Sequence, residues 1–142
     1  MVTSSLNIAL ELSRNKKVKV LQLGGFVRQS SFSVIGDYAI QFLDNMSCSK
    51  LFMGVDGIDL EFGLTTSNLE EARLNQRMIN SSNKLIVLAD SSKFGIRSFA
   101  KICPLNKIDL IITDKNISQQ MLKKLEEKGI SVQIVGEEIK ND

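Results

Sequence analysis

The residues best suited to bind a ligand follow the most apolar stretch of the chain. Five apolar residues, Leu85–Ala89, run directly into the polar segment Asp90–Lys93, which supplies one carboxylate, two hydroxyls and one ammonium. A continuous apolar run bounded by turn residues is typical of a strand buried on both faces of a parallel sheet. Ligands bind beyond the carboxyl ends of such strands, where Lys93 would meet a phosphate as a point charge. The alternative is an ordinary loop after the strand, in which the Lys93 side chain is solvated and binds no ligand.

A second group of polar residues follows the apolar strand predicted at Leu51–Met53. Asp56 and Asp59 lie three residues apart beside two glycines, so their carboxylates could hydrogen-bond the hydroxyls of a sugar. They could equally be turn residues whose side chains bond the backbone of their own loop. Gly24 and Gly25 follow another predicted strand, where glycine lets the chain turn tightly or approach a ligand closely. A tight turn is the commoner reason for a pair of glycines.

Apolar periodicity predicts strands that alternate with helices along the whole chain. Strands are expected at 18–23, 51–53, 85–89, 109–113 and 131–135, and helices at about 6–15, 34–45, 69–82, 96–102 and 118–128. Ser4 or Ser5, Ser67 or Asn68, and Ser118 are the expected helix caps. The residues from 136 onward are polar and are expected to fray.

This alternation predicts a single α/β domain with a three-layer, Rossmann-like architecture. A mainly parallel sheet would carry helices on both faces, joined by right-handed connections. The carboxyl-end loops of the strands would then meet at one edge of the sheet, at 24–25, 56–59, 90–93 and 113–114. Their hydroxyls, carboxylates, glycine N–H groups and lysine suit a polyhydroxylated, singly phosphorylated molecule. The chain has neither G-x-x-x-x-G-K-[ST] nor G-x-G-x-x-G, which argues against a nucleotide.

Composition excludes several classes of function. The chain has 142 residues, of which 43% are apolar and 24% charged, and its net charge is +2. This charge favours neither nucleic acid nor an anionic membrane as a partner, and the densest basic pairs, Lys16-Lys17 and Lys123-Lys124, make no basic stripe. The absence of histidine excludes His-activated nucleophiles and His-bearing zinc sites. No metal or other cofactor is predicted.

The cysteines and the hydropathy indicate a cytoplasmic protein. Cys48 and Cys103 lack C-x-x-C spacing and are expected to be reduced, buried small side chains, with a disulfide as the less favoured alternative. No apolar run approaches 18 residues, and no secretory signal pattern is present at the N-terminus, so no membrane partner is predicted.

Taken together, five segments resemble the C-terminal sensor domain of DeoR-type bacterial transcription regulators, nearly from end to end. They are T-S-S-L-N-I-A at 3–9, L-G-G at 23–25, G-V-D-G-I-D-L-E-F-G-L-T-T at 54–66, L-A-D-S-S-K-F-G at 88–95 and I-T-D at 112–114. That family is similar to ribose-5-phosphate isomerases, whose G-A-D-E-x-D and I-A-D-x-S-K fall on Gly54–Asp59 and Ala89–Lys93. The resemblance implies that Asp56 and Asp59 contact sugar hydroxyls and that Lys93 contacts the phosphate or sugar end.

The resemblance implies effector binding without turnover. The lysine and glycine loop of the isomerases is here Gly63–Thr66, and the D-G-H motif of the related glucosamine-6-phosphate deaminases is here Asp56-Gly57-Ile58, without the ring-opening histidine. The alternatives are a sugar-phosphate isomerase with Asp56 as its base, and a dimerisation module without a ligand. The effector-binding residues expected from the matching segments are Ser4, Ser5, Gly24, Gly25, Asp56, Gly57, Asp59, Thr65 and Lys93.

The resemblance also implies further sequence outside this chain. Family members normally carry an N-terminal winged helix-turn-helix and a first βα unit with a D-x-G-T-T phosphate loop, and neither motif occurs in residues 1–142. The chain is therefore expected to be an N-terminally truncated effector-binding domain of a transcriptional repressor or activator. Its expected partners are a phosphorylated sugar or related metabolite, a second copy in a homo-oligomer, and DNA only through the missing domain.

Overall fold

The computed structural model describes residues 1–136, so all but the first residue of the tail expected to fray lies outside the described residues. The chain divides into two compact units, residues 1–47 and 48–142, which are described separately. The expectation of one truncated domain stays a prediction. Among the described residues, no helix is both long enough and apolar enough to cross a membrane.

The first unit combines two small sheets with two helices. Its elements are β1 (Val2–Thr3), α1 (Leu6–Ser13), β2 (Leu21–Gln22), β3 (Phe26–Arg28), β4 (Ser33–Ile35) and α2 (Asp37–Phe42). β1 pairs with β2 in parallel, and β3 pairs with β4 as an antiparallel hairpin. The cap expected at Ser5 is confirmed, because its hydroxyl accepts a hydrogen bond from the backbone N–H of Ile8 at 3.3 Å.

Two predicted elements of the first unit are too long. The helix expected from residue 34 begins at Asp37, since Val34 and Ile35 belong to β4 and are buried. Gly36, at a φ of 99°, separates this strand from α2 in a conformation that favours glycine. The strand expected over residues 18–23 is confined to β2. Short apolar runs fit both the helical period of 3.6 residues and the strand period of two. The bounds of these elements therefore depend on strand pairing and not on the local sequence pattern.

The second unit has nine helices and strands among its described residues. They are β5 (Leu51–Gly54), β6 (Gly57–Asp59), β7 (Gly63–Thr66), α3 (Leu69–Asn80), β8 (Leu85–Leu88), β9 (Ala100–Cys103), β10 (Leu110–Asp114), α4 (Gln119–Glu127) and β11 (Val132–Val135). Four strands form a parallel sheet in the order β11-β10-β8-β5. The predicted α/β fold with a mainly parallel sheet is confirmed.

A three-stranded antiparallel sheet, in the order β6-β7-β9, was not predicted. The segment expected to be loops around residues 54–66 contains the β6–β7 hairpin, and the helix expected at 96–102 is wrong. Ile96, Phe99 and Ile102 have helical spacing, but Ile102 is buried in β9, which pairs with β7. Pairing between distant strands cannot be read from one strand's own periodicity.

One hydrophobic core holds the second unit together. Its fully buried members come from both sheets and from α4, and include Ile58, Leu64, Val87, Ile111 and Leu125. Burial of each such side chain contributes roughly 1.5–3 kcal/mol. The caps expected at Asn68 and Ser118 are confirmed, since each side chain accepts from the backbone N–H three residues ahead.

The two cysteines are free thiols, as predicted. Cys103 is buried in the core of the second unit, and this burial raises the pKa of its thiol to about 11. Cys48 is only half-buried, contrary to the expectation that both would be buried. A thiol that stays protonated is a poor nucleophile, so Cys103 acts as a core residue.

Candidate functional site

Three neighbouring parallel strands deliver their following loops to one edge of the sheet. Gly54 at the end of β5 lies beside Leu88 at the end of β8, and Leu88 lies beside Ile112 of β10. An aspartate occurs two residues after each of these three positions, at Asp56, Asp90 and Asp114. The three loops of the second unit therefore meet at the edge where the sequence placed them.

Two of these aspartates fix the turn that carries Lys93. The carboxylate of Asp90 accepts hydrogen bonds from the Ser92 backbone N–H at 2.9 Å and from the Ser92 hydroxyl, while Asp114 accepts from the Ser91 N–H at 2.7 Å. These hydrogen bonds hold the pKa values of both carboxyls below their usual range. Residues Ser91–Lys93 form a single 3-10 turn as a result.

Lys93 is held in place by its backbone and not by its ammonium. Its backbone N–H donates to the carbonyl of Asp90 at 3.1 Å, and its side chain is half-buried. The ammonium makes no hydrogen bond or ion pair with any residue from 1 to 136. A cation on a fixed backbone with no acidic partner in contact is suited to an anionic ligand.

The two sequence motifs at this edge are in direct contact. Ile58 of β6 bridges to Phe94 beyond the lysine turn, and its carbonyl accepts from the Gly95 N–H at 2.8 Å. A Cβ atom on Gly57 would lie only 2.4 Å from the carbonyl oxygen of Ile96. Glycine at position 57 therefore lets the aspartate hairpin pack closely against the segment that follows Lys93.

Asp59 is engaged by its own loop and by an arginine. One carboxylate oxygen accepts from the backbone N–H groups of Glu61 and Phe62 at 2.9 and 2.7 Å. The Arg97 guanidinium donates to both oxygens, at 3.0 and 3.2 Å, and lies 4.7 Å from the centre of the Phe62 ring. These contacts match the turn-residue alternative, and the sugar contact expected of Asp59 stays a prediction.

Arg97 lowers the pKa of Asp59, and we expect replacement of Arg97 to change that pKa measurably. The guanidinium first, then the Phe62 N–H, lower the pKa of Asp59 from 3.8 to about 2. Because the folded-state pKa is depressed, the contact stabilises the fold above about pH 4, and the gain is lost as the pH falls toward 2. In Arg97→Gln, an NMR titration of side-chain carboxyl carbons should show the pKa of Asp59 moving up toward 3.8. Arg14→Gln, which removes an exposed pair with Glu11, is the control, and an unmoved pKa in Arg97→Gln would contradict this assignment.

Asp56 and Thr65 both brace the β6–β7 hairpin. Asp56 accepts from the Ser67 backbone N–H at 2.8 Å and from the Thr66 hydroxyl at 3.0 Å. Thr65 is fully buried, and its hydroxyl donates to the Gly57 carbonyl at 3.2 Å and accepts from the Ser98 N–H at 3.0 Å. In this geometry the Thr65 hydroxyl is enclosed by backbone partners, so its expected ligand contact stays a prediction.

The other four predicted residues lie in the first unit. Ser5 caps α1, and the Ser4 carbonyl accepts from the Val34 N–H at 2.8 Å. Gly25 has a φ of 150°, and a Cβ atom there would lie 2.6 Å from the carbonyl oxygen of Ile35. A Cβ on Gly24 would meet its nearest neighbour at an ordinary 3.8 Å. Turn geometry and close packing thus account for the glycine at position 25. Turn geometry is the commoner of the two reasons considered for the glycine pair.

Sequence reasoning missed the structural residues around Lys93. Arg97 carries no motif and is 38 residues from Asp59 in the chain, so no local signal marks the pair. The paired roles of Asp90 and Asp114 were also missed, although each lies two residues after one of the laterally paired positions Leu88 and Ile112. No group of three or more acidic or cysteine side chains suited to a metal ion occurs in the described part of the chain.

A separate cavity of about 180 Å³ occurs elsewhere in the second unit. It is bounded by α3, β9 and the turn after β9, and its lining residues are Gln76, Ile79, Asn80, Ile102, Cys103 and Lys107. None of the residues of the lysine turn lines it. The cavity is therefore separate from the sheet edge that carries Lys93.

A family described as the DeoR C terminal sensor domain matches residues 1–115. A putative aga operon transcriptional repressor of Escherichia coli O157:H7 is 43% identical over 136 residues, which are 96% of this chain and 51% of the relative. The HTH-type transcriptional regulator GolR of Listeria innocua is 35% identical over 134 residues, 94% of this chain and 53% of the relative.

A third relative agrees with the first two. The HTH-type transcriptional repressor GlcR of Bacillus subtilis is 33% identical over 132 residues, which are 93% of this chain and 51% of that protein. The chain therefore spans about half the length of the curated relatives that it matches.

Proposed function

We propose, since the chain belongs to the family of DeoR C-terminal sensor domains, that it binds a phosphorylated sugar or a related metabolite at the sheet edge carrying Lys93. Members of this family are transcriptional regulators, so the chain has a regulatory sensing role and is not an enzyme.

The observation that supports the proposal is that the backbone of Lys93 is fixed while its ammonium has no bonded partner among residues 1–136. The ammonium of Lys93 makes no hydrogen bond or ion pair within residues 1–136, although its charge contributes to the lowered pKa of Asp90. A charge-assisted hydrogen bond from lysine to a phosphate contributes about 1.5–3 kcal/mol. The turn is held by hydrogen bonds within the chain, and a backbone fixed in this way lowers the entropy lost on binding.

The neighbouring carboxylates suit the hydroxyl groups of the same ligand. An ionised carboxylate only accepts hydrogen bonds and has about four lone-pair positions for them. The donors described for Asp90, the backbone N–H and the hydroxyl of Ser92, occupy part of that capacity. Sugar hydroxyls are donors of the required kind.

Binding at this edge would act on DNA through a domain outside the chain. We infer that a helix-turn-helix domain precedes this region in the longer protein, and that the sensor domain assembles as a homo-oligomer. An effector shifts such a regulator only through its different affinities for two states, and a hundredfold difference corresponds to about 2.7 kcal/mol. The proposed effector therefore binds one arrangement of the regulator more tightly than the other.

A paired ligand screen tests this function. Thermal-shift and calorimetric measurements would compare sugar phosphates with the same sugars lacking phosphate, and with inorganic phosphate alone. We expect at least one sugar phosphate to bind, and a ligand at a hundred times its Kd to stabilise the fold by about 2.7 kcal/mol. Failure of every sugar phosphate to bind, both to this chain and to a form that also carries the proposed helix-turn-helix domain, would overturn the proposal.

A further inference from the structure

The excess positive charge of the chain is concentrated in its first unit. Residues 1–47 contain five basic and three acidic side chains, whereas residues 48–142 contain thirteen of each. Four of the five basic residues, Arg14, Lys16, Lys17 and Lys19, fall within six positions, which we call the basic loop (14–19). All four side chains are exposed to solvent.

The backbone of the basic loop is ordered by a turn at the end of α1. The Asn15 side chain accepts from the Lys17 N–H at 3.0 Å, and the Asn15 carbonyl accepts from the Val18 N–H at 3.0 Å. Lysines on a fixed backbone lose less freedom on meeting a partner than lysines on a mobile segment. The loop is thus a preformed cationic surface.

Within the described part of the chain, the three lysines of the basic loop have no acidic partner. Arg14 pairs with Glu11 at 3.2 Å, while the side chains of Lys16, Lys17 and Lys19 make no hydrogen bond or ion pair there. A helix C-terminus is stabilised by a cation in its last turn, but that effect is small and confined to the turn. Three further cations exceed what the helix end requires, and their mutual repulsion favours an anionic partner.

We propose that the basic loop contacts the phosphate backbone of DNA. This inference rests on the regulatory role proposed above, because a sensor domain tethered to a DNA-bound domain meets DNA at a high effective concentration. Contacts of this kind need cations but no reading of bases, so an exposed loop of lysines is sufficient. The loop adds a DNA contact within the chain to the contacts expected of the domain outside it, and the proposal therefore departs from the expectation, drawn from net charge, that DNA is met only through that domain.

The contact has a characteristic salt dependence. Each lysine that neutralises a phosphate releases condensed counterions, and contributes about −0.9 to the slope of log K against log salt concentration. Three lysines should therefore give a slope of roughly −3, and non-specific binding of DNA by proteins typically lies in the range of about 10⁻⁴–10⁻⁶ M. Such affinities are measurable by fluorescence anisotropy with a labelled duplex of arbitrary sequence.

The test compares two triple variants with the same change of charge. In residues 1–142, K16E/K17E/K19E should weaken duplex binding at least tenfold at low salt and remove most of the slope. The control variant K115E/K123E/K124E changes three exposed lysines of the second unit, and should keep most of the affinity and slope. If the first variant melts at a lower temperature, K16Q/K17Q/K19Q provides the same comparison with a smaller change of charge.

Three results would overturn the proposal. They are an equal loss in both variants, which would indicate net charge alone; no duplex binding by the unmodified chain at about 50 mM salt; and tighter binding to vesicles containing anionic lipid than to DNA. The measurement needs no effector, so its outcome is independent of whether a sugar phosphate binds at Lys93.

Discussion

Replacing Lys93 with alanine is expected to weaken effector binding by roughly 10- to 150-fold while leaving the fold intact. The loss corresponds to the about 1.5–3 kcal/mol of one charge-assisted hydrogen bond. The fold should persist because the ammonium makes no hydrogen bond or ion pair within residues 1–136, and the turn is held by backbone contacts that alanine retains. Titration calorimetry with a phosphorylated binder measures the first effect and a thermal melt the second.

A matched lysine separates this effect from a general loss of charge. Lys84 lies just before β8, at the end of the strand opposite to the Lys93 turn, and is exposed. Lys84→Ala should bind the effector as the unmodified chain does. Equal affinities of Lys93→Ala and Lys84→Ala for a phosphorylated binder would remove Lys93 from the site.

Replacing Gly57 with alanine should destabilise the fold by about 1–3 kcal/mol. The added Cβ would lie 2.4 Å from the Ile96 carbonyl oxygen and 2.8 Å from the Thr65 hydroxyl oxygen. The first of these neighbours is backbone, so the contact cannot be relieved by rotating a side chain. Because Gly57 packs the aspartate hairpin against the segment after Lys93, we also expect the variant to bind a phosphorylated effector less tightly.

Gly54 provides the control for this substitution. A Cβ atom there would meet its nearest neighbour, the Leu88 carbonyl oxygen, at 4.0 Å, which is an ordinary contact. Gly54→Ala should therefore change stability by less than about 1 kcal/mol, and removal of backbone freedom from the unfolded chain favours stabilisation. Chemical denaturation of both variants measures the difference, and an equal effect at the two glycines would show that close packing at Gly57 is unimportant.

The parallel sheet could be predicted because its strands carry their own signal. The runs around Met53, Val87 and Ile111 are apolar on both faces and end in polar turn residues, so their type and direction followed from local pattern. Helix caps at Ser5, Asn68 and Ser118 were predictable for the same reason, since a cap acts on the N–H three residues ahead.

The antiparallel sheet and the contacts of Asp59 could not be predicted in this way. β9 reads as a helical pattern until its pairing with β7 is known, and that pairing joins segments more than 30 residues apart. An aspartate that binds a ligand and one that binds its own turn look alike in sequence, and the choice at Asp59 depends on Arg97 arriving from a distant loop. Long-range packing therefore decided what local chemistry left open.

The most direct test of the sensing site is a map of amide chemical shifts. Titration of a phosphorylated binder into isotope-labelled chain should perturb the backbone signals of residues 90–95 and of Asp56 and Gly57, and should leave residues lining the separate cavity, such as Gln76 and Lys107, unchanged. Perturbations confined to that cavity, or absent from residues 90–95, would contradict a phosphate site at Lys93.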